Sequence, residues 1–157
     1  MSIDHYHKAK KYILNEEDIA DFVGGRSNEL IQLAEQELGF KFTGAYLDFL
    51  KTFGAGNFGS QEIYGIIDRD FENSAVPDAI WYTLTERKNI YLPNHLLVIY
   101  DSGFGELYCL DFNQLDDTGE PQIVSFDTGV EIENQIYEVI ANDFGDFLLD
   151  LVMEEME

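Results

Sequence analysis

The chain has 157 residues, close to the roughly 100 to 150 of one domain, and its 45% apolar and 14% aromatic content is enough to fill a core. Its 31 acidic and 9 basic residues leave a formal charge of −22, which repels phosphate backbones and anionic lipid and disfavours direct binding to DNA, RNA or a membrane surface. Cys109 has no second cysteine to pair with, the N-terminal stretch has no apolar run of signal-peptide type, and no segment approaches the ~20 apolar residues of a membrane span. One domain spanning residues 1–157, in a reducing cytoplasm, is expected.

In chain order, a helix is expected over about Ile3 to Leu14, its apolar side interrupted by Lys8, Lys10 and Lys11. Ser27 is a helix N-cap by type, with Glu29 in the first turn, Leu30, Leu33, Ala34 and Leu38 at helical spacing, and Gly39 as the stop. A second helix from Thr43 or Gly44 carries Tyr46, Phe49, Leu50 and Phe53 and ends at Gly54. Residues 54–59 are too glycine-rich for a regular element, and they lack the Lys-Ser/Thr ending of a phosphate loop. Glu62 to Ile67 reads as a strand, and Pro77 is suited to the first position of a helix bearing Ile80, Trp81 and Leu84. The period then changes to that of strands: Leu96 to Tyr100, a glycine turn, and Glu106 to Phe112 predict a hairpin, with a third strand at Gln122 to Phe126. Ile136, Val139, Ile140, Phe144, Phe147, Leu148 and Leu151 predict one closing helix. This order implies an α+β fold, an antiparallel meander packed with helices.

The charge is unevenly distributed. Residues 1–88 hold 15 acidic and all 9 basic residues, whereas residues 89–157 hold 16 acidic residues and no Lys or Arg. Self-repulsion on that scale costs stability, so solubility or a cationic partner is the natural offset.

No catalytic set emerges from the residue types. His5 and His7 could clip a metal if they lay on a strand, but no third ligand follows at a fixed spacing. The segment from Asp101 to Glu106 lacks the ladder of acids of a calcium loop and reads as a turn. Cys109 sits at a sheet position, and only His95 could activate it. Asp116 and Asp117, with Glu120, could form an acid/base dyad only if buried, and a solvated loop tip explains them better. A hydrolase is therefore not expected, and neither is a metal or cofactor. The rings of Tyr64, Trp81, Tyr82, Tyr91, Tyr100 and Tyr108 read individually as core or sheet-face residues.

The run Leu30 to Gly39, then Tyr46-Leu-Asp-Phe-Leu50 and Gly54-Ala-Gly56, resembles the opening of the SUKH superfamily, the Smi/Knr-type proteins. Ile63-Tyr-Gly65, the Leu96 to Tyr100 strand, Tyr108 to Asp111, Gln122-Ile-Val124 and Phe144 to Leu148 match its later landmarks, so the resemblance covers residues 27–150. Thr43-Gly44 stands where the family tends to have proline, and Ala55 where asparagine is common. The resemblance implies an immunity protein that binds and neutralises a cognate toxin, a cationic nuclease domain by charge, and it implies no catalytic residue. The alternative within the same superfamily is a regulatory or scaffold module. The expected partner surface combines Asp101, Glu106, Asp116, Asp117 and Glu120 with Trp81 and Tyr82, the loops gathering at one end of the meander.

Overall fold

A computed structural model describes residues 2–157. Its elements run α1 (Ser2–Asn15), β1 (Ala20–Phe22), α2 (Asn28–Leu38), α3 (Gly44–Thr52), β2 (Gly56–Phe58), β3 (Gln61–Ile63), α4 (Ala79–Asn89), β4 (Leu96–Asp101), β5 (Glu106–Leu115), β6 (Pro121–Asp127), β7 (Val139–Ala141) and α5 (Phe144–Met156). They form two antiparallel sheets, ordered β1-β2-β3 and β4-β5-β6-β7, so the fold is α+β as expected. No described helix is long and apolar enough to cross a membrane.

Helix ends follow local chemistry. Ser27 Oγ accepts from Leu30 N at 3.1 Å, and Gly39 N–H closes α2 on Glu35 O at 2.9 Å. The buried stripe of α2 is Ile31, Ala34 and Leu38, with Leu30 and Leu33 half-buried beside it. Pro77 lies outside α4 and not at its first position. Asp78 is the N-cap, fully buried, its Oδ1 accepting from Ile80 N and Trp81 N at 2.9 and 3.1 Å.

Three further expectations are corrected. Residues 136–140 precede the closing helix: Ile136 is 86% exposed, Val139–Ala141 pairs with β6, and Asp143 starts α5 by accepting from Asp146 N at 2.9 Å. Their helical spacing was real, but the β6 edge offers this backbone ladder partners, and the Asp143 cap sets the helix start. The glycine-rich stretch contains β2, the central strand of the small sheet. A Cβ on Gly56 would stand 2.2 Å from Asp21 O, so glycine there is what lets β1 pair so closely. The strand expected over 62–67 is shorter, because Tyr64 N–H leaves the small sheet for Ile99 O at 2.9 Å, where a bulge between Val98 and Tyr100 interrupts the β4–β5 register.

That bond links the two sheets. Alongside it, Thr83 Oγ1 of α4 accepts from Val98 N at 3.0 Å, so the outer side of β4 is covered by α4 and the end of β3. Helices α1, α3 and α5 meet around Tyr6, Tyr46, Phe49 and Phe144, with Tyr46 and Phe49 edge-on to Phe144 at centroid distances of 5.0 and 5.2 Å.

Candidate partner-binding surface

The two acidic turns lie at opposite ends of the large sheet, which overturns their expected gathering at one end. Consecutive antiparallel hairpins must reverse at alternate ends, and the 10 residues of β5 separate the turns by about 30 Å.

At the far end, Asp116 Oδ1 accepts from Thr118 N, Thr118 Oγ1 and Glu120 N at 2.8, 2.7 and 3.0 Å. Burial works to raise its carboxyl, but these hydrogen bonds hold it below the ordinary value. Asp117 is exposed. Glu120 is not part of a solvated tip: it is buried, and its Oε1 accepts from Ala45 N at 2.8 Å, serving as the cap that Thr43 does not supply to α3. Carboxylate oxygens of Asp116, Glu120 and Asp143 lie within 4.8 Å of one another. Burial, together with the charges of Asp143 and Asp116, raises Glu120. Two of these three side chains satisfy N–H groups in the first turns of α3 and α5, where the helix dipole favours an anion. Glu120→Ala should therefore cost about 1–3 kcal/mol by unpairing the buried Ala45 N–H. Glu120→Gln, which keeps an acceptor and removes charge, should not. Denaturant unfolding of the two variants tests this, and equal losses would show that charge, not capping, is the function of Glu120.

At the near end, Asp101 Oδ1 accepts from Gly103 N at 2.9 Å and its side chain is exposed. Glu106 is half-buried, and its Oε2 accepts from Ser125 Oγ at 3.1 Å. Asp101 and Tyr82 line a cleft of about 410 Å³ together with Glu62, Tyr64 and Tyr100. Tyr64 and Tyr82 pack with centroids 5.5 Å apart, and Tyr100 Oη donates to Gln61 Oε1 at 2.6 Å. Trp81 does not line the cleft but stands edge-on to Tyr82 at 6.1 Å. Burial, and then the neighbouring charge of Asp101, raises the Glu62 carboxyl. Burial pushes the Tyr82 phenol up to about 12 and raises that of Tyr64 still further, so both hydroxyls stay protonated and neutral at physiological pH.

Glu62 escaped the sequence reading, and Tyr64 and Tyr100 were read only as core or sheet-face rings. The available signal was that Glu62 and Tyr64 share strand parity, which sends both side chains to one face. Tyr91, also read as core or sheet-face, is 78% exposed. His5 and His7 lie on helix α1, where neighbours two apart diverge, and His5 Nδ1 pairs with Asp146. Cys109 is fully buried in β5, burial raises its thiol, and His95 is committed to Asp111 Oδ1 at 2.8 Å.

A family model, SUKH_5, described as SMI1-KNR4 cell-wall, matches residues 1–154. The chain belongs to the SUKH superfamily. The match takes in α1 and β1, beyond the residues that carried the resemblance. Two SUKH landmarks meet inside the fold, where Tyr46 Oη donates to Tyr64 O at 2.9 Å and so ties the Tyr46 to Leu50 segment to Ile63-Tyr-Gly65. Thr43-Gly44, in the place of the usual SUKH proline, begins the helix that Glu120 caps. Ala55 is fully buried, and its carbonyl accepts from Val23 N at 2.9 Å.

Proposed function

We propose that this SUKH protein is an immunity protein that binds a cognate cationic toxin, a nuclease domain, and blocks it by stoichiometric occlusion, with no chemistry of its own. The observation that carries this reading is the absence of any Lys or Arg from residues 89–157 against 16 acids, in the part of the chain that builds the four-stranded sheet and α5. A nuclease that grips phosphates presents cations, and an inhibitor with the opposite field gains association rate and covers the cleft the substrate needs. The near end of the sheet is the favoured contact, because Asp101, Glu106 and the tyrosine cleft lie there together, whereas Asp116 and Glu120 at the far end are engaged in holding the fold.

The test is co-expression with the basic C-terminal domain of a large protein encoded by a neighbouring reading frame, scored for rescue from toxicity and followed by stopped-flow binding of the purified pair. Association should slow by about 10-fold or more between about 0.05 and 0.5 M salt, as the Debye length falls below about 5 Å, with dissociation changing far less. An on-rate independent of salt removes steering from the mechanism. A partner that is captured but is not toxic would favour a regulatory or scaffold role, in keeping with the cell-wall description of the matched family.

A further inference from the structure

We infer that the cleft formed by β3, α4 and the end of β4 is a receptor for one cationic side chain, arginine or lysine, presented by a protein partner. The walls determine the class of ligand. Three tyrosines and two carboxylates, Glu62 and Asp101, line the space, and no Lys, Arg or His is among the lining residues. Such walls repel anions and attract a cation in two ways, through the carboxylates and through the negative faces of the rings.

The hydroxyls point the same way. Tyr64 is only 3% exposed, yet among the described residues neither its hydroxyl nor that of Tyr82 has a hydrogen-bond partner, whereas Tyr100 Oη and Tyr46 Oη are both bonded. Tyr64, Glu62 and Asp101 line the same cleft, where burial first and then the charges of the two carboxylates keep the Tyr64 phenol protonated. Neither hydroxyl is sealed from the cleft, since the one buried side-chain polar atom without a partner among the described residues is Arg87 Nε, so both are free to meet a ligand or water there. A guanidinium or ammonium supplies N–H donors for phenol oxygens and carboxylates at once, and it carries the compensating charge. A volume of about 410 Å³ admits such a group with part of its alkyl stem and leaves room for water. Arginine is the better fit, because its planar fork can stack on a ring while it binds a carboxylate.

This inference takes from the immunity reading only the source of the cation, so the cleft can be probed without any toxin. The experiment titrates the full-length protein with N-acetylarginine amide, N-acetyllysine amide and, as the neutral control, N-acetylglutamine amide, following the tyrosine ring signals by NMR. Saturable shifts of Tyr64, Tyr82 and Tyr100 at millimolar concentrations are expected with the two cations, strongest for arginine, and none with glutamine. Glu62→Gln with Asp101→Asn should weaken that binding at least 10-fold while preserving the fold, since the amide oxygen introduced by Asp101→Asn can still accept from Gly103 N. The charge-matched pair Asp18→Asn with Glu37→Gln, both at exposed positions outside the cleft, should bind like the parent. Equal response to the neutral amide, or equal loss in the two double variants, overturns the inference.

With the cognate toxin in hand, the cleft variant should dissociate about 10- to 100-fold faster, the range expected when a central anchor is lost, and the matched pair should alter association alone. Unchanged dissociation would overturn the anchoring of the partner here. Absence of any toxin would overturn the immunity reading and leave the amide titration to decide the cleft by itself.

Discussion

Gly65→Ala should leave little folded protein. An added Cβ would stand 1.7 Å from Gly54 O and 2.8 Å from Gly54 C, so the obstacle is backbone and cannot swing aside. Neither segment is free to retreat. Gly65 N donates to Pro77 O at 2.9 Å, Gly65 O accepts from Ala79 N at 2.7 Å, and Ile66 N donates to Gly54 O at 3.1 Å. Ordinary overpacking costs about 1–3 kcal/mol, and a clash that also breaks these bonds should exceed it, at about 3–5 kcal/mol against a total stability of roughly 5–15. The control is Gly129→Ala, whose Cβ would meet only Asp127 Oδ1 at 3.4 Å and which should change stability by less than about 0.5 kcal/mol. Denaturant unfolding, or the soluble yield if Gly65→Ala cannot be purified, measures the difference. A Gly65→Ala protein with the parent midpoint would mean that the crossing of residues 54 and 65 is looser than its hydrogen bonds imply. The same variant should also remove the cleft, because Tyr64 is adjacent.

Mild acid should stabilise this protein. Burial raises the carboxyls of Glu62, Asp78, Glu86, Glu120 and Asp150 above their ordinary values, with neighbouring acids adding to the effect at all but Glu86. A carboxyl raised on folding binds its proton more tightly in the folded state. Its contribution is therefore present below the unfolded value and is lost as pH rises through the raised one. Asp48 behaves oppositely: burial would raise it, but hydrogen bonds from Lys10, Tyr6 and Thr52 hold it low, as the turn hydrogen bonds do for Asp116. Those two contributions are kept through the mild-acid window and lost only as pH falls through their lowered values.

Stability should accordingly climb as pH falls from about 7.5 towards about 5, then collapse in stronger acid. Each additional proton held by the folded state steepens the climb by about 1.4 kcal/mol per pH unit, and each kcal/mol is about 2–4 °C in Tm for a domain of this size. Relief of a net charge of −22 acts in the same direction. Calorimetry across this range checks the expectation, and the double variant Glu62→Gln with Glu120→Gln should flatten the rise. A Tm that is flat or falling all the way from about pH 7.5 into the ordinary carboxylate range would show that these carboxyls are not raised on folding.

Much of this protein is determined by chemistry within a turn or two of the chain. The Ser27 cap, the Gly39 stop, the β4–β5 hairpin and the core half of α5 are such features, since caps, spacing and turn residues act over three or four positions and do not depend on the rest of the fold. The order of those landmarks was also sufficient for the family. Tertiary structure decided wherever a distant backbone supplied a better partner than the local pattern. Residues 139–141 have helical spacing and became β7 because the β6 edge was open to them, and a glycine run became β2 because β1 and β3 paired with it on both sides. Glu120 looked like a loop carboxylate and became the cap of a helix 75 positions away in the sequence. The near-end cleft has the same origin: Glu62, Tyr82 and Asp101 belong to β3, α4 and β4, and no spacing in the chain relates them. They meet because Tyr64 N–H bonds to Ile99 O and Thr83 Oγ1 accepts from Val98 N, which bring all three segments to the outer side of one strand.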